Sequence, residues 1–229
     1  MSTSCKYRLI YALLPVAAAG QPCMEQYGRD CAFATGFYET HIQDFATTAG
    51  RAGLTAPFIF AIVAPELTQY SYLGDKLETY SLKVFYVQNG RAYADFSIGL
   101  FQMKPSFVER MEDSLQTKTH LHAEFGDCLM PASGSREARA ERVRRLGLPE
   151  WQFEYLALFC RLLRERFPSK SELCPDDMLA FYSTAYNTGF HKSEDLIAQM
   201  AQRALFPHFS RTKYRYGDIA QCFYRTVNN

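Results

Sequence analysis

A mainly α domain is what this 229-residue sequence predicts. Apolar residues recur at helical spacing along most of the chain, proline and capping residues punctuate those runs, and long alternating strands are absent. Only FSIGLF, residues 96–101, could hold a short extended piece.

In chain order, the spacing predicts helices over residues 33–49, 57–70 and 75–88. Ser106 with Glu109 three residues later forms a capping box, which predicts a helix from about 106 to 117. A helix over 136–146 falls in SREARAERVRR, where Arg alternates with Glu as on a solvated helix face. PEWQFEYLALFCRLLRERF, residues 149–167, puts Tyr155, Leu156, Phe159, Leu162 and Leu163 on one stripe. Pro149 opens that core helix and Pro168 stops it. Further helices are read over 176–187, 193–205 and 216–226. GDCLMPASGS, residues 126–135, is the most loop-like stretch and reads as a lid or surface loop.

With 48% hydrophobic, 15% aromatic and 21% charged residues, the chain is globular rather than disordered, and its length suits one domain. A net charge of +1 argues against nucleic-acid binding driven by bulk electrostatics, which needs many uncompensated Lys and Arg. Any binding site must be local.

Lys6 and Arg8 precede LIYALLPVAAAG, an apolar run ending in small residues and too short to span a bilayer. Residues 1–20 therefore read as a signal peptide, with a mature chain starting near Gly20 to Cys23. The expected product is exported, periplasmic or extracellular, and has no stable transmembrane anchor. Loss of Cys5 with that segment leaves six of seven cysteines, an even count that permits disulfides, with Cys23–Cys31 the first pairing to expect. No CxxC pair or His/Cys ligand spacing occurs, so neither a metal site nor a cofactor is expected.

The chemistry concentrates in three stretches. FIFAIVAPELTQY, residues 58–70, is an apolar helix that reaches a single carboxylate, Glu66, as the apolar run ends. Partial desolvation there raises a carboxyl pKa, which suits a general acid. In SIGLFQ, Ser97 and Gln102 flank Gly99, and in AYNTG, Tyr186 and Asn187 precede Gly189. Polar groups able to bond an amide or hydroxyl, beside glycines that admit close backbone approach, suit a sugar-binding cleft.

Taken in order, AIVAPE, GLFQMKP and AYNTG resemble the lysozyme-like lytic transglycosylases, the soluble-type family related to goose-type lysozyme. In that family a Glu at a helix end is followed by a GLMQ-like segment and, much later, by AYNxG. The resemblance implies a lysozyme-like multi-helix domain over residues 55–229, preceded by a helical extension over 21–54. It also implies cleavage of the β-1,4 bond between N-acetylmuramic acid and N-acetylglucosamine in peptidoglycan glycan strands. Glu66 would be the acid and base, with Ser97, Gly99, Gln102, Tyr186 and Asn187 binding substrate in one groove. The acceptor would be the substrate's own C6 hydroxyl, giving a 1,6-anhydro product.

Two departures keep alternatives open. The family has Ser after its Glu, where this chain has Leu67, and the connection from Glu66 to Gly99 is longer than the family's. Glu78, followed by Thr79, is the alternate acid; if Glu66 acts, residues 75–90 are an inserted helix. A murein or chitin-like glycan hydrolase would recruit Asp95 or Glu78 to position water. A noncatalytic peptidoglycan-binding protein would keep only the cleft. The tail RTKYRY, residues 211–216, reads as a packed C-terminal cap or a glycan contact.

Overall fold

The computed structural model describes residues 29–69, 76–207 and 211–228. The expected signal segment and Cys23 lie outside these residues, as does the side chain of Glu78. Among the described residues the chain is helical, with no strand. The helices are α1 (Arg29–Thr40), α2 (Ile42–Ala52), α3 (Ala56–Leu67), α4 (Lys76–Asn89), α5 (Pro105–Gln116), α6 (His122–Phe125), α7 (Arg136–Leu146), α8 (Pro149–Arg166), α9 (Pro175–Thr188), α10 (Glu194–Ala201) and α11 (Tyr216–Val227).

The centre is α3. Its sequence APFIFAIVAPEL has no polar face before Glu66, and Phe58 to Pro65 are all buried. A helix apolar all round must be enclosed all round, and α2, α9 and α11 pack against it. Each large side chain so buried contributes about 1.5–3 kcal/mol. No single helix among the described residues is long and apolar enough to cross a membrane. Although α2 and α3 together have the length and composition, they meet at 112°.

Several expectations are corrected. The helix read over 33–49 is two, because His41 leaves helical dihedrals (φ −109°, ψ 25°). Across that break Phe37 and Phe45 meet edge to face, 6.2 Å apart, so the bend serves core packing. The helix read to 205 ends at Ala201. Ser106 and Glu109 form no capping box: Pro105 opens α5 one residue earlier, and Lys104 holds the cap position. Asp95 caps the helix from the preceding loop, accepting from Ser106 N (3.1 Å) and Oγ (2.7 Å).

The Arg-rich α7 is not simply a solvated face. Arg142 turns inward with 0% exposure, donating to both Glu112 oxygens (2.7 and 2.6 Å), Tyr86 Oη (2.8 Å) and the Ser133 carbonyl (2.9 Å). Arg139 caps the C-terminus of α4 through the Val87 and Gln88 carbonyls, 2.9 and 3.1 Å away. The outlying α4 is thereby fastened to α7. The segment 126–135 is fastened too, through Arg142 on Ser133 and Arg139 on Gly134, with Cys128 and Met130 buried. It is not a loose lid. Cys31 is buried on α1, and the pairing expected with Cys23 lies outside the described residues; Cys222 is disulfide-bonded.

Candidate functional site

Glu66 lies in the last turn of α3, where the apolar run ends. The residue keeps part of its surface exposed, yet protein crowds its carboxyl. Burial pushes its pKa up to about 8, against the opposing pull of a Tyr216 hydrogen bond and the Lys104 charge. The group is therefore a neutral acid at pH 7 with a path to solvent. Such an acid can give a proton to a bound substrate.

Tyr216 begins α11, is 4% exposed, and meets both the Glu66 carboxyl and the Ile62 carbonyl (3.2 Å). One hydroxyl carries one proton and serves one acceptor at a time. Donation by Tyr216 to the Glu66 carboxyl favours the ionised form, which is why this contact opposes the rise in its pKa.

GLFQ forms a tight loop. Ile98 and Met103 exchange both backbone bonds (3.0 and 3.2 Å), the short extended piece the sequence allows, and close residues 99–102 between them. Gly99 takes φ 75° and Gln102 φ 51°, the left-handed region. A Cβ on Gly99 would lie 1.6 Å from Gln152 Nε2 and 2.5 Å from the Leu146 carbonyl, so the loop can only seat with glycine there. Gln152, on α8 and 1% exposed, receives the Phe101 N–H on Oε1 (2.7 Å) and donates Nε2 to Leu146 O (2.6 Å). Gln102 uses its amide Nε2 on the Gly99 carbonyl (2.6 Å), closing its own loop.

Tyr186 joins this loop to the acid. Its hydroxyl donates to the Phe101 carbonyl (2.6 Å), and its own ionisation is opposed first by burial and then by the nearby Glu66 charge. Asn187 follows at the end of α9, half-buried, lining a recess that Tyr216 also lines. Its side chain makes no hydrogen bond among the described residues. Gly189 ends the helix at φ 109°, where a Cβ would strike the His191 ring at 2.6 Å.

The structure thus gathers Glu66, Tyr186, Tyr216 and the GLFQ loop, with Asn187 joined through the shared recess. Ser97 is half-buried one residue before the Ile98 bridge, and no side-chain contact ties it to Glu66 among the described residues. Asp95 is engaged by Ser106 at α5. Sequence reading missed Gln152, whose signal is a lone amide inside the apolar stripe of α8. It also read Tyr216 within RTKYRY, as a packed C-terminal cap or a glycan contact, and not as a partner of Glu66. Among the described residues no group of three His, Cys, Asp or Glu could hold a metal. Comparison with protein-family models, curated proteins and solved structures finds no match to this chain.

Proposed function

We propose that this chain is a lytic transglycosylase of peptidoglycan glycan strands, with Glu66 as its acid and base. The observation that carries the reading is the placement of Glu66 in the last turn of the buried α3, partly open to solvent and beside Tyr216 and Tyr186, where burial raises its pKa. Protonated Glu66 gives that proton to the glycosidic oxygen as the bond to C1 breaks and oxocarbenium character develops. The resulting carboxylate, steadied by Tyr216, then takes the proton of the substrate's C6 hydroxyl as that oxygen closes on C1. The product is a 1,6-anhydro end, and Glu66 is protonated again. Transfer within the substrate needs no second carboxylate, which agrees with Asp95 being held by Ser106.

Digestion of purified cell-wall sacculi, read by product mass, tests the reaction. Anhydro ends are expected; reducing ends would make the enzyme a hydrolase, and intact glycan would make the chain a binding protein. Glu66→Gln keeps the side chain's size but loses its transferable proton, so turnover should fall by about 100- to 10,000-fold while glycan binding survives. Cleavage at the wild-type rate by Glu66→Gln would transfer the acid's role elsewhere, first to Glu78. Export belongs to the same reading, and N-terminal sequencing of the secreted fraction checks it.

A further inference from the structure

Gln152 places a polar amide among the buried Phe153, Leu156 and Phe159 of α8, where an aliphatic side chain would serve packing better. Both ends of the amide are bonded, and the partners fix its orientation. The Phe101 N–H can only donate and the Leu146 carbonyl can only accept, so Oε1 faces Phe101 and Nε2 faces Leu146. Next to it on α8, Phe153 meets the Phe101 ring edge to face, 5.0 Å between centroids. One helix thus grips Phe101 by backbone and by ring.

On the other side of Phe101, Gln102 is held at φ 51° by bonds from its own N–H and its side chain to the Gly99 carbonyl. Held from both sides, the Phe101 carbonyl meets the Tyr186 hydroxyl at 2.6 Å and takes its proton. A hydroxyl has a single proton, so Tyr186 has none left for Glu66, whose charge acts on it. The other groups acting on Glu66 are Tyr216 from α11 and the Lys104 charge at the cap of α5. Of the charges on helices packed about α3, Asp44 pairs with His41, Arg51 with Glu154 and Glu124, and Asp176 with Arg225, while Glu39, Asp177 and Asp218 are exposed. A second hydroxyl turned onto Glu66 would favour the carboxylate and leave the acid without its proton.

We propose that Gln152 is a positioning residue of this site: its grip on Phe101 keeps the Tyr186 hydroxyl proton on the Phe101 carbonyl and off Glu66. The catalytic consequence, an acid still protonated when substrate arrives, rests on the glycan reading above; the placement of the proton does not.

Titration of Glu66 by NMR tests it, with the full chain isotope-labelled at its glutamate carboxyls and the Glu66 signal identified by its loss in Glu66→Gln. Gln152→Met keeps the length of the side chain and removes both bonds, so the midpoint should fall by about 1 pH unit as Tyr186 turns to the carboxylate. In a Tyr186→Phe background, Gln152→Met should leave the midpoint where it is. An unmoved midpoint in Gln152→Met overturns the proposal, and so does a fall that persists without the Tyr186 hydroxyl, which would mark a general loosening of the core. If Gln152→Met does not fold, Tyr186→Phe alone decides: a raised midpoint means that its proton already lay on Glu66 and overturns the proposal, whereas a midpoint that does not rise sustains it. On sacculi, the high-pH limb of activity should move down with the midpoint in Gln152→Met. Sacculi left intact by the wild-type chain would remove the glycan reading, and the titration would still decide the role of Gln152.

Discussion

Glu66 keeps its proton because burial of its carboxyl makes the ionised form expensive, and that fact links activity to stability. Its pKa in the folded chain is about 8 against an ordinary 4.5, so on unfolding the group ionises first as pH rises. The stability it allows is fully present below about pH 4.5 and is lost progressively as pH rises towards 8. Glu66→Gln breaks that linkage. The variant should gain about 1–3 kcal/mol relative to wild type between pH 4 and pH 8, measured by thermal unfolding at both. A constant difference between the two pH values would show that folding does not raise this pKa. Activity should also fall above about pH 8, where the acid is spent before substrate arrives.

At the scale of elements, the start of α5 shows how a connection can both position a site and cap a helix. The chain leaves the GLFQ loop at Met103 and enters α5 at Pro105, so the start of the helix and the loop share a backbone anchor. Asp95, three residues before the Ile98 bridge, satisfies Ser106 at the helix start with both carboxylate oxygens. Loss of a capping side chain costs about 1 kcal/mol. Asp95→Ala should therefore lower stability by about that much in a denaturant titration. An unchanged midpoint would mean that water replaces the carboxylate without loss.

Over the whole molecule, α4, α5 and α7 are joined by one buried charge. Arg142 and Glu112 are almost fully enclosed, with Tyr86, the Ser133 carbonyl and, at 3.4 Å, Glu109 completing the guanidinium's partners. Replacing only the cation leaves Glu112 buried and unpaired, a loss of about 3–5 kcal/mol. Arg142→Met should show it in urea unfolding, and adding Glu112→Leu should recover most of the loss; a double variant as unstable as the single would mean that packing, not charge, is at issue. That pair also marks the limit of what could be read along the chain. Local pattern was sufficient for the central apolar helix, the stripe of α8, the glycine at the GLFQ turn and the carboxylate where α3 ends, because spacing and proline position act within a few residues. It did not reveal that α7 turns an arginine inward, since an Arg–Glu run has the same spacing whether or not a neighbouring helix covers it. Partners of the decisive polar groups lie far along the chain: 30 residues separate Arg142 from Glu112, 51 separate Gln152 from Phe101, and 154 separate Tyr216 from Ile62. The sequence by itself determined which segments are helical and where an acid meets the edge of the core. Only the tertiary structure decided which side chains surround that acid, because burial and hydrogen-bond partners arise when distant helices meet.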